Sequence, residues 1–241
     1  MNLIGKNLSD VIRCMEEAYA RVSTKGQRPP RLVAVSKEKP VEYVVEAYNH
    51  GQRHFGENKV LSLLEKSTSA KIKEYCPDIK WHFIGRIQSN KIKQLAGVHN
   101  LFMVETVDSI KHAQALSTAW GLVSSTPLAV MLQVNTSGEQ QKGGVNPENV
   151  LELFQAVLSS CTMLKVVGLM CIGSFGVDNS KAPNPDFLEL VRCRGLLCNE
   201  YNISENDLEL SMGMSNDFEH AILLGSTNVR VGTTIFGERL N

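Results

Sequence analysis

Leu32-Val-Ala-Val-Ser-Lys37, then Pro40-Val-Glu-Tyr-Val-Val-Glu-Ala-Tyr48 with Gly51 beyond it, then His54-Phe-Gly-Glu-Asn58, form the passage from which the fold can be read. A valine-rich run of strand length comes first. A proline suited to the first turn of a helix follows, with an apolar stripe at Val41, Val44, Val45 and Tyr48 and a glycine able to close it. A second apolar run starts at once. Two strands joined through a helical crossover lie parallel, so this passage is a strand, helix, strand unit of a parallel sheet. The alternation continues along the chain: apolar runs at residues 32–36, 53–56, 81–85, 101–105, 128–135, 166–172, 208–212 and 229–233 predict eight strands.

The intervening stretches carry helix punctuation. Asp108 is expected to cap a helix running to Trp120, with Gly121 past its end. Asn146-Pro147 offers an N-cap and a first-turn proline to a helix striped by Val150, Phe154, Val157 and Leu158. Phe187, Leu190 and Val191 mark another, after the loop-rich residues 173–185. Ahead of the first strand, Leu8, Val11, Ile12, Met15, Tyr19 and Val22 recur at helical spacing, predicting an amphipathic helix that ends before Gly26 and Pro29-Pro30 and packs on the rest.

Eight such units in 241 residues favour an α/β fold closed as a single (β/α)8 TIM barrel, which uses roughly 250 residues. A doubly wound open sheet ranks second, because no GxGxxG follows the first strand. No repeat or linker divides the chain, so residues 1–241 are expected to form one domain, with residues 1–26 as the added N-terminal helix.

With 43% hydrophobic and 21% charged residues the composition is that of a globular protein. Lys plus Arg and Asp plus Glu each total 25, so the formal charge cancels and neither nucleic acid nor an anionic membrane is an expected partner. The longest apolar runs, such as residues 128–132, fall far short of the ~20 needed to span a bilayer. Asp10, Glu16 and Glu17 argue against a transit peptide, and no apolar signal core is present; the expected compartment is the cytoplasm, with a mitochondrial fraction left open. The cysteines at 14, 76, 161, 171, 193 and 198 form no CxxC pair and read as reduced, buried thiols rather than metal ligands.

In such a barrel the chemistry lies where strands end at their C-termini. Ser36-Lys37 ends the first strand, Gly56-Glu57-Asn58 the second, Ser211-Met-Gly-Met-Ser215 the seventh, and Arg230, Gly232 and Thr233 the eighth. The last two clusters suit a phosphate cradle, since Gly and Ser let backbone N–H groups approach an anion. Asn216 and Glu219 look like a capping pair for a short helix aimed at it. Plain tight turns are the competing reading. Lys37 at a confined mouth suits imine formation with an aldehyde, against the alternative of a lysine that reaches solvent or pairs with a carboxylate. Arg230 points inward if Val229 and Val231 point outward; an internal ion pair with Glu57 or Glu105 is the equal alternative. His82 reads first as a core histidine and Asn58 as a possible helix cap.

Leu32-Val-Ala-Val-Ser-Lys37, His54-Phe-Gly-Glu-Asn58, Trp81-His-Phe-Ile-Gly85, Gly168-Leu-Met170, Ser211-Met-Gly-Met-Ser215 and Arg230-Val-Gly-Thr233 together resemble the pyridoxal 5′-phosphate (PLP) homeostasis protein family. Gly173-Ser-Phe-Gly176 and Phe236-Gly-Glu-Arg239 resemble its animal branch. The resemblance implies a barrel like the N-terminal domain of alanine racemase, with PLP as a Schiff base on Lys37. It implies that Gly213, Ser215, Gly232 and Thr233 hold the phosphate, that Ser211 and Met214 also contribute to the cofactor site, that Arg230 faces the pyridine nitrogen, and that Asn58 lines the pocket. Members are understood to maintain vitamin B6 homeostasis by holding PLP, limiting free aldehyde and supplying apo PLP-dependent enzymes, without a firm catalytic reaction. Separately, few exposed apolar stretches are evident in the sequence, so a monomer is expected. Gly143-Gly144 departs from the family pattern after Glu139-Gln-Gln-Lys142, so no role passes to Lys142; Ile87 in Arg86-Ile-Gln88 is expected to be neutral packing.

Two enzymatic alternatives share these residues. An amino-acid racemase needs a base on each face of the substrate carbon, and the barrel is expected to use the chain up to Asn241, leaving no C-terminal β domain for the second. A Schiff-base aldolase also combines lysine with a phosphate cradle, but its lysine is expected on a later strand than the one Lys37 ends.

Overall fold

The computed structural model describes residues 3–22, 28–174, 176–177 and 182–238. Eight parallel strands, β1 (Arg31–Val35), β2 (His54–Glu57), β3 (Lys80–Phe83), β4 (Leu101–Val107), β5 (Leu128–Gln133), β6 (Leu164–Met170), β7 (Glu209–Ser211) and β8 (Asn228–Val231), pair in sequence order, and β8 returns to β1 to close a barrel. The helices around it are α1 (Leu3–Ala20), α2 (Val41–Asn49), α3 (Val60–Thr68), α4 (Ala70–Tyr75), α5 (Ile92–Ala96), α6 (Ile110–Gly121), α7 (Val150–Ser160), α8 (Pro185–Tyr201), α9 (Phe218–Leu223) and α10 (Thr233–Phe236). The predicted barrel is the observed fold.

Strand alternation sorts the side chains into two compartments. Leu32, Ala34, Phe55, Trp81, Phe83, Val104, Val229 and Val231 join the apolar layer under the helices. The opposite set faces the barrel axis, where Met103, Met131 and Met170 form a separate small cluster and His82, Glu105, Ser211, Asn228 and Arg230 are also buried. α1 lies against α2, α9 and α10, and Asn7 donates to the Ile235 carbonyl at 3.1 Å. The N-terminal helix therefore covers the seam where β8 meets β1.

Several local expectations are corrected. Ser109, not Asp108, caps α6, accepting the His112 N–H at 3.4 Å, while Asp108 binds the His112 ring; Gly121 is the last residue of α6 rather than beyond it. Asn146 makes no side-chain cap bond, and Pro147 opens a single 3-10 turn before α7. On α7 Leu158 is exposed and Leu153 takes the buried position, so the buried stripe is Val150, Leu153, Phe154 and Val157, the i, i+3, i+4, i+7 face of the helix. Ile12 of α1 is likewise exposed. Gly26, Phe175 and Arg239 lie outside the described residues.

Candidate functional site

The C-terminal ends of β1, β7 and β8 share one rim. Ala34 pairs with Val231, so the turns leaving β1 at Lys37 and β8 at Gly232 are neighbours. They approach closely: a methyl group on Gly232 would lie 3.1 Å from the Val35 carbonyl oxygen, two residues before Lys37. Ser215, in the loop after β7, accepts the Gly232 N–H at 3.2 Å. The lysine and the Gly/Ser loops, far apart in sequence, are thus brought together at one end of the barrel.

The backbone before Lys37 is clamped. The Ser36 carbonyl accepts from the Lys39 N–H at 3.1 Å and from Lys66 Nζ at 2.7 Å. Lys66 also pairs with Glu57 at 2.6 Å, and Glu57 accepts from the Ser36 hydroxyl at 2.6 Å and from Ser62 at 3.4 Å. Glu38 then takes φ +60°, the left-handed region, which costs a residue other than glycine on the order of 1 kcal/mol or more. Lys37 is half-buried at this sharp turn.

Across the seam, Gly213 has φ +95°, and a methyl there would come within 2.5 Å of Ala221 Cβ, so only glycine lets the loop lie on α9. The Met214 N–H is taken by Asp217 at 2.6 Å. Among the described residues none accepts the backbone N–H groups of Ser215, Thr233 or Thr234. Uncommitted donors on two joined turns suit an anion with several acceptor oxygens. The expected capping pair is absent: Asn216 and Glu219 are exposed, and Asp217 holds the cap position of α9, bonding back to Met214.

Arg230 is inward and 4% exposed, as the alternation predicts. Its Nη1 donates to Ser211 Oγ at 2.6 Å and its Nη2 to the Cys171 carbonyl at 2.9 Å. Neither alternative ion pair forms directly: Glu57 is committed to Lys66, and Glu105 lies one hydroxyl away, accepting from Ser211 Oγ at 2.5 Å. Asn228 Nδ2 reaches both Glu105 oxygens at 3.2 Å and Ser211 Oγ at 3.0 Å. His82 Nδ1 is 2.6 Å from Glu105 and His82 Nε2 is 2.8 Å from His54 Nδ1. Burial alone would push the Glu105 carboxyl up; the His82 hydrogen bond and charge, then Arg230 and Ser211, overcome it and hold the group at about 2. Burial, then His82, Arg31 and Lys80, push His54 down to about 3. Burial raises the Cys171 thiol to about 12 despite nearby Arg230, so it is not a nucleophile.

Of the residues singled out in the sequence, Lys37, Gly213, Met214, Ser215, Gly232 and Thr233 gather at the rim. Asn58 follows β2 and is exposed, and Lys59 rather than Asn58 precedes α3 as its cap residue. His82 is a core histidine within the barrel. The Ser211 hydroxyl is engaged by Glu105, Asn228 and Arg230. Ile87 is buried packing. Lys142 pairs with Glu139 at 2.5 Å and donates to the Gly173 carbonyl at 3.0 Å, tying the loop after β5 to the loop after β6. The sequence reading missed the structural parts played by Lys66 and Asn228. Asn228 carried a usable signal, a polar residue two positions before Arg230 on the inward face.

The closed parallel barrel, with Lys37 after its first strand and the Gly/Ser turns after the seventh and eighth on the same rim, places the chain among the alanine racemase-like (β/α)8 barrels. Alanine racemase from Corynebacterium glutamicum shares that fold, with TM-score 0.70 at 16% identity over 98% of this chain and 61% of that one. PipY of Synechococcus elongatus, solved with PLP bound, has TM-score 0.78 at 30% identity, covering 97% of this chain and 100% of PipY. The pyridoxal phosphate homeostasis protein of Homo sapiens is 54% identical over 211 residues, 87% of this chain and 77% of the human one. No family model matches. The chain belongs to the pyridoxal phosphate homeostasis protein family.

Proposed function

We propose that this protein binds PLP at the rim between β1 and β8 and holds it in reserve, limiting free aldehyde and releasing the cofactor to apo PLP-dependent enzymes. The observation that carries the reading is the meeting of the Lys37 turn with the Gly232 and Ser215 turns, which in this reading sets a lysine amine and an anion cradle on one mouth. PLP supplies an aldehyde that condenses reversibly with an amine. In this reading Lys37 holds the aldehyde end, while Gly213, Met214, Ser215, Gly232 and Thr233 hold the phosphate and Asn58 borders the pocket. Arg230 presents its remaining N–H groups to the ring nitrogen. An arginine keeps its own proton, so it leaves that nitrogen unprotonated and weakens the ring as an electron sink.

Retention rather than catalysis is supported by how four ionisable groups of the loops after β5, β6 and β7 and of the helices behind them are used. Asp217 accepts the Met214 N–H, Asp186 accepts the Ser174 N–H at 2.7 Å, His220 accepts the Asn184 N–H at 3.1 Å, and Lys142 bridges two loops. Each is spent on holding a loop in place, whereas a racemase needs groups free to take and return a proton. The protein acts as a cytoplasmic monomer that meets recipient enzymes transiently. Among the described residues no helix is long and apolar enough to cross a membrane.

Borohydride treatment of the PLP-loaded chain followed by peptide mapping is expected to place the label on Lys37, with none in Lys37→Ala; a label elsewhere overturns the site. Loaded protein mixed with an apo enzyme and a trap for free aldehyde is expected to restore activity despite the trap. Activation only when the trap is omitted would leave a passive reservoir, and alanine racemisation by the loaded protein would favour the enzyme reading.

A further inference from the structure

We propose that the buried chain His82, Glu105 and Ser211 is the positioning device for Arg230, so that a carboxylate inside the barrel sets where the guanidinium points before any ligand arrives. The inference rests on the reading that Arg230 serves the cofactor's ring nitrogen.

The argument begins with Ser211, whose hydroxyl has one proton and two lone pairs. An ionised carboxylate only accepts, so the proton goes to Glu105 Oε2 at 2.5 Å. The lone pairs then receive Arg230 Nη1 at 2.6 Å and Asn228 Nδ2 at 3.0 Å. The hydroxyl has nothing left for a ligand, and its direction is dictated by Glu105. Glu105 in turn receives His82 Nδ1 at 2.6 Å and Asn228 Nδ2 at 3.2 Å, bonds that favour its charged form and explain why the group stays far below the usual carboxylate range despite full burial. Among the described residues Arg230 has no direct carboxylate partner, so Glu105, one hydroxyl away, is the counter-charge it reaches along this hydrogen-bonded chain. The Cys171 carbonyl secures Nη2 at 2.9 Å. Two of the guanidinium's five N–H donors are thereby spent on the frame, and the rest keep a fixed direction.

The test uses the full chain as native protein, Ser211→Ala, Glu105→Gln, Arg230→Gln and the double variant Ser211→Ala/Arg230→Gln. In the unloaded chain, nitrogen-15 NMR of the Arg230 guanidinium is expected to report restricted rotation in the native protein and rapid averaging in Ser211→Ala and Glu105→Gln. In the PLP-loaded chain, both single variants are expected to move the visible absorption band in the same sense as Arg230→Gln. They should also weaken PLP binding roughly tenfold, the worth of a hydrogen bond to a charged group. The double variant should match Arg230→Gln alone, because a positioning residue has no effect once the residue it positions is gone. Should Glu105→Gln fail to fold, Ser211→Ala carries the test, since it leaves the carboxylate and its histidine in place. A guanidinium that stays restricted in the folded variants, an unmoved band, or full additivity in the double variant would overturn the proposal. A native protein with no visible band on adding PLP would instead overturn the cofactor reading, while the NMR comparison would still judge the positioning chain.

Discussion

Replacing Lys66 by methionine isolates the clamp ahead of Lys37. Methionine keeps most of the lysine stem and removes the ammonium, so packing changes little. In the native protein Lys66 Nζ lies 2.6 Å from Glu57 and 2.7 Å from the Ser36 carbonyl, with side chains 9% and 1% exposed for Lys66 and Glu57. The carbonyl survives the substitution, because the Lys39 N–H still reaches it. Glu57 does not fare as well: it keeps the Ser36 and Ser62 hydroxyls but loses its counter-charge. A surface pair would be worth about 0–1 kcal/mol, whereas stranding one partner of a buried pair costs about 3–5 kcal/mol. Burial places this pair in the second regime, and the two retained hydroxyl bonds set the expected loss near its lower end, about 3 kcal/mol. Urea unfolding at neutral pH, with an unchanged dependence on denaturant, measures it. Adding Glu57→Gln removes the stranded charge and should restore at least about 1 kcal/mol of the loss. PLP capture should weaken without vanishing, since one of two anchors on the Ser36 carbonyl remains. A cost for Lys66→Met below about 1 kcal/mol, or a double variant no more stable than the single one, would refute the clamp.

Acid should act on the interior chain in two stages. His54 is held near 3 in the fold against an ordinary 6.5, so the unfolded chain binds its proton first and stability falls as pH drops below 6.5; His54→Gln should flatten that segment of a urea-midpoint curve, and an unchanged slope would remove His54 from it. Glu105 is held near 2 against an ordinary 4.5, so its contribution is complete above 4.5 and lost as pH falls from there through 2; Glu105→Gln should erase this second stage. Gly213→Ala should cost roughly 3 kcal/mol, combining a left-handed φ with a 2.5 Å approach to Ala221, and should weaken PLP binding by moving the loop after β7; a melting temperature equal to the native value would refute the fit.

The barrel was legible because its signal is local and repeated: each strand is an apolar run, each crossover carries its own punctuation, and eight repetitions leave little freedom in how they assemble. The rim was legible for the same reason, since Lys37, Ser215 and Gly232 each follow a strand and the fold alone brings such residues together. What sequence could not give were the details that depend on rotation or on partners. Leu158 lies at the edge of the apolar face of α7, where Leu153 rather than Leu158 is buried, and Asp108 lost the cap to its neighbour Ser109, an exchange one residue wide. Ser211 read as part of the cofactor site from its place in the loop with Gly213 and Ser215; only the positions of Glu105 and Arg230, distant in sequence, show its hydroxyl to be taken. Lys66 sits in an ordinary helix stripe, and nothing in its surroundings along the chain announces a buried carboxylate within reach.

The interior of the barrel is divided in a way that bears on function independently of the rim. Where β4, β5 and β6 face the axis, Met103, Met131 and Met170 fill the space as an apolar cluster. Where β2, β3, β4, β7 and β8 face it, the filling is His54, His82, Glu105, Ser211, Asn228 and Arg230, joined in one hydrogen-bonded chain. Buried charge of this kind is generally no more stabilising than apolar packing of equal volume, so folding alone gives no reason for the second filling when the first lies alongside it. Consistency with local rules is the norm, and a site is where a chain departs from it. Here the departure runs along one wall of the barrel and ends at Arg230, directly beneath the seam of β7 and β8 whose turns carry Ser215 and Gly232. The polar wall is therefore read as the foundation of the proposed rim site, which would tie the stability of the interior to the geometry of the mouth: a substitution deep in the barrel at Glu105 should be felt by a ligand that never touches it.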